Sequence, residues 1–102
     1  MDYIYIAQVV QRDDVAEITV NNGVLHVGVG WLPCGVFTSE VTVDLSKYRY
    51  VYCGSDTHLY VSNTELTPGT VINDEATIVL PLVWPVNETE RAVVQFVRGE
   101  KV

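Results

Sequence analysis

The chain has 102 residues, 48% hydrophobic and 19% charged, with 13 acidic against 6 basic side chains and a formal net charge of −7. That length fits one domain able to bury a core without obligatory staples. The acidic balance argues against nucleic acid as a partner, since phosphate binding needs a clustered basic face and the six basic residues are dispersed. No run approaches the ~20 apolar residues of a spanning helix, so membrane insertion is not expected. Asp2 follows Met1 without a basic or a clean apolar region, so no secretory signal is expected and cytoplasmic synthesis follows. Both chain ends are expected to be held, by the sheet or by a neighbouring molecule.

Tyr3 to Val10 reads as a first strand. Tyr3, Tyr5, Ala7 and Val9 lie on one face and Ile4, Ile6, Gln8 and Val10 on the other, so both faces are largely apolar. Arg12-Asp13-Asp14 turns into the clearest local signal, Val15 to Gly30, where Asn22-Gly23 separates two alternating runs. Asn-Gly suits a type I′ turn, which needs positive φ at both central residues. The two-residue register sets Val20 opposite Leu25, Ile18 opposite Val27 and Ala16 opposite Val29 on an apolar face. It sets Thr19 opposite His26 and Glu17 opposite Gly28 on a mostly polar one. A three-residue loop mixes the faces, so burial selects this register.

Gly30 to Gly35, with Trp31 and Pro33 inside it, reads as a loop. Phe37 to Leu45 alternates, with Phe37, Ser39, Val41, Val43 and Leu45 on one face. Ser46-Lys47 closes a hairpin into Tyr48 to Cys53, placing Leu45, Val43 and Val41 opposite Tyr48, Tyr50 and Tyr52 and pairing Asp44 with Arg49. Gly54 to Thr57 turns the chain into His58 to Ser62, with Leu59 opposite Tyr52, Val61 opposite Tyr50, and Cys53 beside His58. Thr67-Pro68-Gly69-Thr70 has the form of a type II turn. Val71-Ile72 precedes a polar break, and Ala76 to Trp84 is a near-continuous apolar run in which Pro81 implies an edge, a bulge or a kink. In Arg91 to Arg98, Asn87 with Glu90 mimics a capping box and Gly99 a helix stop. The β-formers Val93, Val94, Phe96 and Val97 favour a strand instead. The fold class that follows is all-β, an antiparallel sandwich or barrel of about seven to eight strands with little or no helix.

Chemistry-bearing constellations are sparse. Cys34, Cys53, His26 and His58 form a nominal Cys₂His₂ set, but no C-x₂₋₄-C knuckle exists. Cys34 lies six residues before Glu40, the expected neighbour of Cys53, which is ~20 Å along an extended strand. No metal site is expected, and the two cysteines are read as packed free thiols; a Cys34–Cys53 bridge is the disfavoured alternative. Cys53, His58 and Asp56 sit on a tight hairpin with no cleft for a cysteine hydrolase. No phosphate-cradling loop or carboxylate dyad is present, so neither a catalytic residue nor a cofactor is assigned. The sequon Asn87-Glu88-Thr89 carries little meaning without a secretory signal.

One-sided burial provides a yardstick. The Asn-Gly hairpin and Phe37 to Leu45 obey it, whereas the first strand, Ala76 to Trp84 and the last strand are apolar on both faces. One domain of this size does not cover all those faces from within, and bare apolar patches mark partner surfaces. The interface candidates are therefore Tyr3, Ile4, Tyr5, Ile6, Ile78, Leu80, Leu82, Trp84 and Phe96. The partner expected is protein: further copies of this chain, larger assembly proteins, or both. An alternative is a sugar- or cell-surface-binding module using Trp31, Trp84 and Tyr60 as stacking platforms. A third reading is an inhibitor or adaptor acting through an edge strand.

Asp44-Leu45-Ser46-Lys47-Tyr48-Arg49-Tyr50-Val51-Tyr52 resembles a local pattern in small β-sandwich modules of tailed-phage virion proteins, in which a DLSxY turn precedes an aromatic strand. That resemblance implies a virion structural role, such as head decoration or tail attachment, with larger capsid or tail proteins as partners. It carries over no catalytic residue.

Overall fold

The computed structural model describes residues 2–99. Among them are eleven strands and no helix, hence no helix long and apolar enough to cross a membrane. In chain order these are β1 (Asp2–Val10), β2 (Ile18–Asn21), β3 (Val24–Val27), β4 (Gly30–Leu32), β5 (Gly35–Phe37) and β6 (Val41–Asp44). They continue with β7 (Tyr50–Gly54), β8 (Leu59–Ser62), β9 (Val71–Asn73), β10 (Ala76–Pro85) and β11 (Glu90–Arg98). A six-stranded sheet runs β1-β11-β10-β7-β8, with β9 attached to β10. A three-stranded sheet runs β2-β3-β6, and β4-β5 is a separate hairpin. The sheets are not closed into a barrel. The expectation about chain ends falls on Met1 and 100–102, outside the described residues.

The Asn-Gly hairpin forms in the expected register, Ile18 opposite Val27 and Val20 opposite Leu25, with Asn22 at φ 53° and Gly23 at φ 75°. Its polar face carries His26 beside Glu40 at 3.3 Å. The regular pairing ends at Gly28, whose N–H donates to Glu17 O. Beyond it Ala16 N–H donates to Trp31 O, so Val29 is skipped and lies exposed instead of facing Ala16. The expected strand from Phe37 to Leu45 is broken: its two ends serve β5 and β6, and Gly30 to Phe37 forms a hairpin in place of the expected loop.

Ser46-Lys47 does not close a hairpin. β6 pairs with β3 alone, and the chain crosses from the small sheet to the large one between Asp44 and Tyr50. The turn lacks the Gly or Asn that a primed hairpin requires. Asp44 Oδ1 instead accepts from the N–H and hydroxyl of Ser46, an Asx-type turn that redirects the backbone. Arg91, only 8% exposed, fixes this crossover by donating to Leu45 O at 2.7 Å and Tyr48 O at 2.6 Å. Asp44 and Arg49 are therefore not cross-strand partners.

The β7–β8 hairpin is shifted by one residue, with Tyr52 opposite Tyr60 and Cys53 opposite Leu59. Its loop is Ser55-Asp56-Thr57, closed by Gly54 N–H to His58 O, with Thr57 at φ 62°. A β-branched residue rarely adopts that conformation, so no local turn signal marks the shorter loop. Paired with β10 rather than with β6, β7 is inverted. Val51 and Cys53 join the common core, while Tyr50 and Tyr52 turn to the opposite face.

One core joins the layers. Ile18, Leu25 and Val27 of the small sheet, Leu32 and Phe37 of the hairpin, and Val51, Leu82, Val83 and Val93 of the large sheet form a single buried cluster. Cys34 and Cys53 are bonded as a disulfide within it, correcting the free-thiol reading. The ~20 Å separation assumed that β6 paired with β7; the β4–β5 hairpin instead folds back and sets the two Cα atoms 6.2 Å apart. The bond also withdraws both sulfurs from any metal set and leaves no thiol at Cys53 beside His58.

The antiparallel expectation fails at the edge of the large sheet, where β1 pairs with β11 in parallel, Asp2 opposite Glu90 through to Val10 opposite Arg98, and at the isolated parallel bridge Val15–Trp31. Elsewhere the turn signals hold. Gly69 has φ 94° and Thr70 N–H donates to Thr67 O, as a type II turn requires. Glu90 to Arg98 is a strand, and the Asn87–Glu90 pair closes the β10–β11 turn: Asn87 Oδ1 accepts from Thr89 and Glu90 N–H.

Candidate interface and aromatic cleft

Pro81 shapes the candidate site. With no N–H to give to a ladder, it sits at a register shift between β10 and β7. On the other side β10 pairs with β11 only over Val83, Trp84 and Pro85. The two strands separate before that point, and the gap opens as a cavity of about 240 Å³ lined by Gln8, Leu80, Pro81, Trp84, Val94 and Phe96. Pro81 and Trp84 also wall a second cleft, of about 320 Å³, together with Tyr50, Tyr52, Glu65 and the Leu66-Thr67-Pro68 segment. Trp84 is therefore common to both.

These openings lie on the outer face of the large sheet, away from the three-stranded sheet. The inward row is fixed by Val51, Val83 and Val93, which are cross-strand partners and fully buried. The opposite parity carries Tyr50, Tyr52 and Trp84, and beside them Ile4 and Ile6 opposite Ala92 and Val94. Part of this face is roofed by the segment after β8. Tyr52, 1% exposed, accepts a hydrogen bond on its hydroxyl from Leu66 N–H at 2.7 Å. Burial pushes its phenol above the ordinary value. Tyr50 stacks parallel to it with ring centroids 6.0 Å apart.

The sequence-derived interface candidates divide into three groups. Leu80, Trp84 and Phe96 meet in one cavity, with Ile4 and Ile6 on the adjoining strand. Tyr3 and Tyr5 belong to the other face of β1; Tyr3 packs on the core, and the Tyr5 hydroxyl accepts from Val20 N–H at 2.9 Å. Ile78 and Leu82 are 1% and 0% exposed and belong to the core, which removes them from any contact surface. The bulges in β10 explain Leu82: they turn it and Val83 inward in succession.

The platform candidates do not form a continuous row. Trp31 stands edge-on to Phe96 at 6.4 Å, and the Arg12 guanidinium lies 4.8 Å from its ring centroid. Its ring is therefore engaged within the chain. Tyr60 is tied by its hydroxyl to the Asp56 carboxylate, which lowers the Asp56 pKa and raises that of Tyr60. Trp84 alone faces an open cleft. Sequence reasoning missed Gln8, Val94 and Glu65 as wall residues, because they are neighbours only through the parallel β1–β11 pairing and the roofing segment.

The large sheet also has an open side. Among the described residues β1 pairs with β11 only, and Ile4 and Tyr5 are each 42% exposed and Val9 67%. Comparison of the chain with protein-family models, with curated proteins and with solved structures finds no match.

Proposed function

We propose that this chain is a non-enzymatic assembly subunit, a two-layer β-sandwich that joins other subunits through the outer face of its large sheet. The observation that supports this most directly is the cavity among Leu80, Trp84 and Phe96, with the exposed Ile4 on the same face of the large sheet. Apolar surface of this kind gains about 25 cal/mol for each Å² removed from water. The opposite flank, with Glu17, Thr19, Asn21, His26 and Glu40, is polar and keeps the assembled particle wet. Within this reading the DLSxY resemblance assigns the subunit to a virion, as a head-decorating or tail accessory protein. A disulfide suits an exterior surface of that kind. The test is mass in solution together with Trp84 fluorescence. An oligomer whose assembly shifts the Trp84 emission supports the reading; a chain that stays monomeric at high concentration overturns it.

A second reading rests on the cleft beside Tyr50 and Trp84, where Glu65 and Thr67 add polar groups to aromatic walls. Such a composition suits a sugar, stacked on a ring and held by hydrogen bonds. Saturable quenching of tryptophan fluorescence by a glycan, lost in Trp84→Ala, supports it. Absence of quenching across a glycan panel removes it.

A further inference from the structure

We infer that β1 completes its sheet by pairing antiparallel with β1 of a second copy, about a two-fold axis at Ile6. This rests on the assembly reading and names the partner and register for it. The backbone of β1 gives the argument. Asp2 N–H donates to Thr89 O at one end of β1, and Val10 O accepts from Gly99 N–H at the other. In a parallel ladder these bonds fix which residues turn their main chain toward β11: Asp2, Ile4, Ile6, Gln8 and Val10. Tyr3, Tyr5, Ala7 and Val9 then direct both N–H and C=O away from it, toward an edge that no strand among the described residues occupies.

That edge carries none of the usual protections. β1 holds no Pro, no Lys and no bulge, and its register with β11 is unbroken. The outward groups are symmetric about Ile6, with two residues on either side. A two-fold there sets Tyr5 opposite Ala7 of the second copy and Tyr3 opposite Val9, each as a hydrogen-bonded pair satisfying both partners. Charge favours the same occupant. The chain carries −7, yet Asp2 is the strand's one charged residue, and this register sets it opposite Val10 rather than a second Asp2. On the outer face Ile6 meets Ile6 and Ile4 meets Gln8, which joins the two apolar faces into one.

Ala7→Pro and Ile6→Cys test the pairing. Ala7 points its N–H outward, so proline there removes a donor from the free edge while sparing the bonds to β11. The wild-type chain should sediment at twice its 11.4 kDa mass. Ala7→Pro should keep the monomer's thermal midpoint and weaken the dimer about 100-fold, two donors being lost per dimer. Ile6→Cys should crosslink under mild oxidation, because a non-hydrogen-bonded antiparallel pair brings two Cβ atoms within disulfide reach. Ile4→Cys should not. A wild-type monomer overturns both this pairing and the assembly reading. A wild-type oligomer that withstands Ala7→Pro, or that Ile6→Cys fails to crosslink, overturns the pairing and leaves the outer-face reading standing. If Ala7→Pro does not fold, the Ile6→Cys result decides alone, and an uncrosslinked chain with a foreign strand at this edge counts against the pairing.

Discussion

Breaking the Cys34–Cys53 bond, by reductant or by the double substitution Cys34→Ala with Cys53→Ala, should cost a large part of the stability of this domain. The bond closes a loop with a sequence separation of 19. Chain-entropy arguments assign about 3 kcal/mol to a loop of that size, through its constraint on the unfolded chain. At about 4–8 °C per kcal/mol for a domain near 100 residues, the thermal midpoint should fall by roughly 12–24 °C. The loss should show a local pattern as well. The bond anchors the turn of the β4–β5 hairpin to the centre of the large sheet, and beside it only the Thr57 hydroxyl reaches the Cys34 carbonyl, at 3.4 Å. Amide exchange in Gly30 to Phe37 should therefore rise before exchange in β7 or β10. Urea unfolding of oxidised and reduced wild type, with thiols counted in each sample, isolates the bond from the loss of sulfur. Equal midpoints with the thiols shown to be free would refute the entropic argument. Two reactive thiols in the native oxidised protein would refute the disulfide itself.

Further outcomes follow from the crossover, the turns and the Asp56–Tyr60 pair. Arg91→Met should destabilise by about 3 kcal/mol in urea titration, since charge-assisted bonds to two carbonyls are lost at once; a change under 1 kcal/mol would mean that water replaces the guanidinium. Gly30→Ala should cost about 2–3 kcal/mol, because φ is 143° and a Cβ would meet Asp14 O at 2.6 Å and Ala16 N at 2.7 Å. Gly23→Val should cost about 1–2 kcal/mol through positive φ alone, as nothing lies within 4 Å of its Cβ position. A neutral result at either glycine would show the backbone there to be misplaced. For Tyr60→Phe, carbon-13 titration should show the Asp56 pKa rising toward its ordinary value, because the phenol that favours the carboxylate is gone. The wild-type pair has a lowered acid and a raised phenol, so its contribution is complete between the ordinary values of 3.8 and 10.0. It fades as pH falls through the Asp56 pKa or rises through that of Tyr60. An unmoved Asp56 titration would refute the coupling.

What could be read from residue order was whatever the backbone decides locally. Asn22-Gly23 fixed a turn and with it the register of Ile18 and Leu25; Pro68-Gly69 fixed another; Pro81 announced its bulge. Those signals act within a few residues, where φ preference and a missing donor outweigh other terms. The disulfide, the cavity beside Phe96 and the burial of Tyr52 depend on contacts between distant segments. The face of β7 follows from its pairing with β10 rather than with β6, and the one-residue slip against β8 keeps Leu59 on the core side. That slip came from Thr57 adopting a conformation its own side chain resists. Of the site, Leu80, Trp84 and Phe96 were legible as apolar surplus; Gln8 and Val94 were not, since only the parallel pairing sets them side by side.

That pairing also governs the order in which the chain can mature. Asp2 meets Glu90, 88 residues later, so β1 leaves the ribosome long before its neighbour exists. Until residue 98 has emerged, both long edges of a largely apolar strand, with Asp2 its one charge, lie unpaired, and nascent chains on one messenger carry such strands side by side. Contacts so distant in sequence form slowly, and exposed strand edges in that interval favour aggregation. Translation rate over the last strand, and chaperones that shield the first, should therefore set the yield of native protein more strongly than any property of the finished core.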